Sequence, residues 1–84
     1  MIEMAKKIYV KVNVDFDADG KMTPRSVIWE DGHIFEIDRV LSSCRRASLK
    51  AGGIGIRYTV KIGRHTTYIY YEDPAWFVEG KEIN

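Results

Sequence analysis

Two stretches of strict alternation constrain this chain more than any other feature. Ile8, Val10, Val12, Val14 and Phe16 alternate with Tyr9, Lys11, Asn13 and Asp15, and Ile54, Ile56, Tyr58, Val60 and Ile62 alternate with Gly55, Arg57, Thr59 and Lys61. A period of two, rich in β-branched residues, gives an extended chain one apolar and one polar face, which is the pattern of a half-buried strand. Turn chemistry separates the strands. Asp17 to Gly20 (DADG), Asp31-Gly32, Gly63-Arg64 and Asp73-Pro74 supply side-chain-to-backbone bonds, positive φ or a missing ladder donor where the chain must reverse. Strands are expected over about 8–16, 25–29, from 34, 54–62, 65–71 and 76–78.

The turns also set register. A two- or four-residue connection around Asp31-Gly32 places Ile28 opposite Phe35, Trp29 opposite Ile34 and Arg25 opposite Asp38. Opposed residues share a face, so Ile28, Phe35 and Ile37 become the core face, with Val27, Trp29 and Ile34 on the other. A two-residue turn at Gly63-Arg64 places Val60 opposite Thr67, Tyr58 opposite Ile69, Thr59 opposite Tyr68 and Arg57 opposite Tyr70. The stretch from Val40 to Gly53 reads as a continuation of the third strand to about Arg45 and then a turn, with one helical turn over Ala47–Ala51 as the alternative. Gly52, Gly53 and Gly55 suit a bend where a small barrel changes direction.

Hairpins in series with no long helical period imply an all-β antiparallel sheet that curls on itself to protect its edges, a partly open barrel of five or six strands. An SH3-like barrel is the first expectation and an oligonucleotide-binding-type barrel the second. With 84 residues there is room for one domain, residues 1–84, burying about 60% of its unfolded surface; residues 1–5 and 79–84 are expected to fray. The single cysteine cannot staple the fold, no apolar run approaches a membrane span, and Met1–Lys7 lacks the apolar stretch of a secretory signal, so a cytoplasmic location without membrane contact is expected.

Charge is distributed unevenly. From Arg39 to Tyr71 there are seven Lys or Arg residues and no acid, a block of +7 that leaves −6 on the rest of the chain. A local positive field attracts polyanions. On the hairpin register above, Arg57, Thr59, Lys61, Thr66, Tyr68 and Tyr70 share the face away from the core. Cations interleaved with tyrosines bind nucleic acids, because bases stack on the rings while Lys and Arg neutralise phosphates. Arg57, Lys61, Tyr68 and Tyr70, extended by Arg45, Arg46, Lys50 and Arg64, are therefore the candidate RNA- or DNA-binding residues. The bland alternative is a solvated face of ordinary cross-strand pairs. A third reading makes the domain a protein-interaction adaptor or a homo-oligomerising structural unit that uses the same patch with Trp29, Trp76 and Phe77, the two tryptophans as anchors, since Trp, Tyr and Arg dominate interface hot spots.

No catalytic constellation is expected. Asp15-x-Asp17-x-Asp19-Gly20 matches the opening of a calcium loop, but the twelfth position is Ser26 and the bidentate carboxylate is missing. Cys44, His33 and His65 are not at zinc-ligand spacing. Cys44 reads as a small buried or half-buried thiol, despite its neighbours Arg45 and Arg46. Gly52-Gly53-Ile54-Gly55 leads into a strand, so no helix N-terminus waits there for a phosphate. No cofactor or metal is expected.

Val27-Ile28-Trp29-Glu30-Asp31-Gly32, with Ile34-Phe35-Glu36-Ile37-Asp38-Arg39-Val40 and Gly53-Ile54-Gly55-Ile56-Arg57-Tyr58, resembles a family of short uncharacterised bacterial proteins with an SH3-like barrel. The resemblance spans most of residues 8–78 and implies a fold; it brings no activity and no site residues. The Ala-Leu-Tyr-Asp-Tyr signature of eukaryotic peptide-binding SH3 domains is absent, so recognition of proline-rich peptides has no residue-level support.

Overall fold

In a computed structural model, which describes residues 3–47 and 54–83, both alternating stretches are strands. The first lies within β1 (Glu3–Phe16) and the second is β5 (Ile54–Ile62). Around them run β2 (Met22–Ile28), β3 (Ile34–Glu36), β4 (Arg39–Ala47), β6 (His65–Glu72) and β7 (Ala75–Ile83), all in one antiparallel sheet of order β3-β2-β1-β7-β6-β5-β4. The sheet curls into an open half-barrel. The possible helical turn at Ala47–Ala51, Lys50 and the Gly52-Gly53 bend involve residues 48–53, outside the described residues.

Among the described residues there are seven strands rather than five or six, and the extra one has a physical origin. The third strand changes partners midway. Ile37 N–H donates to Arg25 O on β2, and the next residue, Asp38, donates from N–H to Lys61 O on β5. Successive amides thus reach opposite edges of the sheet, splitting one extended segment into β3 and β4 and drawing the two edges together at this point. Asp38 pins the junction further, its Oδ2 accepting the Gly63 N–H at 2.6 Å. Gly63, at φ +60°, takes the left-handed position of the Gly63-Arg64 turn, and the β5–β6 register matches the expected one residue for residue.

The β2–β3 hairpin departs from expectation by one residue. Its connection is Trp29 to His33, closed by Trp29 N–H to His33 O and Gly32 N–H to Trp29 O, an odd number of residues in place of two or four. The register is therefore Val27↔Phe35 and Ile28↔Ile34. A one-residue slip exchanges the faces of β2 relative to β3, so Val27 and not Ile28 shares a face with Phe35; Val27 is the core residue, Ile28 is on the opposite face, and Phe35 is exposed.

The core lies on the inner side of the curl, where Val27, Tyr58, Val60, Ile69 and Trp76 are buried together and Val10, Val12, Val14, Ile56 and Val78 pack around them. Each buried aliphatic of this kind contributes about 1.5–3 kcal/mol. At the far end of the sheet residues 3–7 and 79–83, which include the described part of the segments 1–5 and 79–84 expected to fray, form a ladder from Glu3↔Ile83 to Lys7↔Glu79. Among the described residues no helix is long and apolar enough to cross a membrane.

Candidate nucleic-acid interface

Because the Gly63-Arg64 turn has even length, Arg57, Thr59 and Lys61 point away from the core together with Tyr68 and Tyr70. Register carries this face across five strands. Tyr9 (β1) stands opposite Phe77 (β7), Phe77 opposite Tyr70 (β6), Tyr70 opposite Arg57 (β5), and Arg57 opposite Cys44 (β4), one continuous row across the sheet. Phe77 stacks on Tyr70 with centroids 4.9 Å apart and 3° between the planes, and it meets Tyr9 edge-on at 5.9 Å. The Arg57 guanidinium lies 4.4 Å from the Tyr68 ring centroid, and Lys7 Nζ lies 4.6 Å from that of Phe77.

The outer face is thus a second packed layer rather than a bare solvated sheet. Phe77 is only 3% exposed although it sits outside the inner core, while Tyr68 and Tyr9 at its flanks are 45% and 57% exposed. Tyr70 is half-buried, and its hydroxyl donates to Glu79 Oε1 at 2.7 Å. Burial and that hydrogen bond push the Tyr70 phenol above its ordinary value, against the opposing pull of Arg46 and Arg57. Glu72 lies low between β5 and β7 and receives Lys7 Nζ at 3.0 Å. Gly55 makes room for it: a Cβ there would stand 3.2 Å from Glu72 Cγ and from the Tyr71 carbonyl. Lys7, Arg46, Tyr70, Glu72, Phe77 and Glu79 line a shallow cleft of about 200 Å³ on this face.

Charge is segregated within the face. The acids Glu72 and Glu79 lie on the β1–β7–β6 side and are engaged by Lys7 and Tyr70. On the β4–β5 side, no carboxylate forms an ion pair with Arg46, Arg57 or Lys61 among the described residues, and the buried Arg57 Nε has no hydrogen-bond partner there. Along β5, Arg57 and Lys61 are about 13 Å apart at ~3.3 Å per residue, and Tyr68 sits between their rows, opposite Thr59.

The sequence-predicted residues do not all converge. Arg46 joins the outer face beside Gly55, whereas Arg45 stands opposite Ile56 and points to the inner side of the curl. Adjacent residues on a strand face opposite ways, so only one of the pair belongs to the patch. Arg64 is exposed in the turn at its end. Trp76, proposed as a protein anchor, is 8% exposed and packed against Tyr58 and Tyr71, so it is a core residue and not a docking surface. Trp29 is half-buried in the β2–β3 connection. Cys44 is exposed, contrary to the buried thiol expected, because it points outward from an edge strand that nothing covers among the described residues. Phe77, named in the protein-interaction reading, and Glu72 complete the face with Lys7, Tyr9 and Glu79, which the sequence did not single out. The DADG segment is a turn: Asp17 Oδ1 accepts the N–H groups of Asp19 and Lys21, and Asp15 pairs with Arg25.

Fold and site together define an open antiparallel half-barrel with an aromatic and cationic outer face. Compared with protein-family models, curated proteins and solved structures, the chain matches none.

Proposed function

We propose that this protein is a non-catalytic, cytoplasmic binding module that holds single-stranded nucleic acid on the outer face of β4, β5 and β6. The observation that carries the reading is the β4–β5 side of the face, where Arg57 lies against the exposed ring of Tyr68, with Lys61 further along β5 and Arg46 beside Gly55 at the other end. A base stacked on Tyr68 places its flanking phosphates toward Arg57 on one side and Lys61 on the other. Base–aromatic stacking contributes about 1–3 kcal/mol and is indifferent to base identity, so the expected binding is sequence-tolerant. The half-barrel itself is proposed to be of the SH3-like kind that the Val27–Gly32 resemblance implies, which the partner switch at Ile37-Asp38 supports.

The test is a titration of short single-stranded RNA or DNA against the wild type, Tyr68→Ala and Arg57→Glu. Tyr68→Ala is expected to weaken binding by roughly 5- to 150-fold, with no change in the far-ultraviolet spectrum, since the ring is half exposed. Equal affinities for all three proteins would remove the proposal, and greater sensitivity to Trp29→Ala together with co-purification of a protein would favour an adaptor.

A further inference from the structure

The Ile37-Asp38 partner switch draws the two edges of the half-barrel together at one end. From the Ile37-Asp38 junction a seam opens between β4 and the start of β2. The outer edge of β4 pairs with no strand among the described residues, and β3 covers only Ser26 to Ile28 of β2, leaving the edge of Met22 to Pro24 unpaired by any strand. Tyr58 floors the seam, its hydroxyl reaching the Met22 carbonyl at 3.4 Å, with Ile56, Tyr71 and Val40 beside it. Leu41, set out by a bulge between Val40 and Ser42, and Phe16 stand exposed at its rims. Two adjoining cavities, about 500 and 280 Å³, run along it.

The polar lining has one sign. Lys21 lines both cavities, Arg45 lines the larger one, and no acid lines either. Arg45 points here because it faces inward opposite Ile56, the feature that takes it off the outer face. A free strand edge offers a row of N–H and C=O groups, and an extended peptide that adds to it gains main-chain hydrogen bonds while alternate side chains enter the groove. A second copy of this chain fits poorly. Antiparallel pairing of two β4 edges about Ser42 and Ser43 sets Arg39 against Arg46, and like charges directly opposed are destabilising. We infer that the seam takes an extended, acidic peptide segment as an additional strand on β4, the side chains of its groove-facing side being apolar beside Tyr58 and a carboxylate beside Arg45 and Lys21.

A blocked hexapeptide carrying valine and glutamate on one face and threonine on the other (Thr-Val-Thr-Glu-Thr-Val), titrated into the ¹⁵N-labelled full chain, is the test. Saturable shifts confined to residues 21–24 and 40–46 are expected, with Arg45→Glu and Arg45→Gln weakening binding, the former by at least about fivefold, and the same hexapeptide with lysine in place of glutamate binding more weakly than the acidic one. Arg45→Glu is also expected to leave RNA affinity on the outer face unchanged, which separates this inference from the function proposed above. Shifts centred on Arg57 and Tyr68, equal binding of the two hexapeptides, or a concentration-dependent dimer that Arg45→Glu strengthens would each overturn it.

Discussion

Phe77 gives the sharpest energetic test of the two-layered sheet. Truncating a buried phenylalanine costs about 3–5 kcal/mol through lost transfer energy and the cavity left behind. Here the ring is 3% exposed, and removing it also ends its stacking on Tyr70 and its edge contact with Tyr9. Such aromatic pairs add about 0.5–1.5 kcal/mol each beyond burial. At about 0.05–0.15 kcal/mol per residue, a domain of this length has roughly 4–13 kcal/mol of stability in all. Phe77→Ala should therefore remove a third or more of it, whereas Tyr9→Ala, at an exposed site on the same row, should cost about 1 kcal/mol or less. Urea denaturation followed by tryptophan fluorescence reads both, since Trp76 is buried beside Tyr58 and Tyr71. A midpoint shift for Phe77→Ala no larger than that for Tyr9→Ala would mean that the outer face is not packed as described.

Two further outcomes follow from turn and phenol chemistry. Gly63→Ala places a side chain at φ +60° and should cost about 1 kcal/mol from backbone strain alone, with Gly63→Asn costing less, as thermal unfolding would measure. The phenols of Tyr58, Tyr70 and Tyr71 are held above their ordinary values, by burial for Tyr58 and Tyr70 first and by the hydrogen bond to Asp73 for Tyr71 first. The folded chain then keeps protons that the unfolded chain loses, so their contribution is complete below about pH 10 and falls as pH rises through the folded values. Stability measured in urea from neutral pH to above about 10 should decline there, and less steeply after Tyr58→Phe, Tyr70→Phe and Tyr71→Phe together.

How much of this was legible in the sequence depended on the parity of connections. The β5–β6 hairpin could be read to the residue because Gly63-Arg64 admits one tight geometry, and with it came the outward direction of Tyr68 and Tyr70. The β2–β3 connection carries an equally strong Asp-Gly signal, yet Trp29 joins the loop and changes the expected four residues to five, so that Val27 takes the core place expected of Ile28. The bulge at Leu41 likewise acts through local backbone geometry that side-chain periodicity does not encode. Phe77 and Trp76 are adjacent and therefore face opposite ways; that both are buried depends on Tyr9, Tyr70 and Lys7 covering the outer side, which is a tertiary fact. Glu79 on the outer face escaped notice for a related reason. It sits in a segment that resembles a tail, and only its pairing with Lys7 across β1 brings it to the site.

The central claim, that Arg46, Arg57 and Lys61 neutralise the phosphates of a strand stacked on Tyr68, is tested most directly by the salt dependence of single-stranded RNA binding. Three neutralised phosphates give a slope of log affinity against log salt of about −2, so affinity should fall roughly twentyfold between about 50 and 200 mM salt. Lys61→Glu should flatten that slope by about 0.7 or more. Saturable binding with this slope is the predicted result; negligible binding at the lower salt concentration, or a slope near zero that Lys61→Glu leaves unaltered, would contradict it.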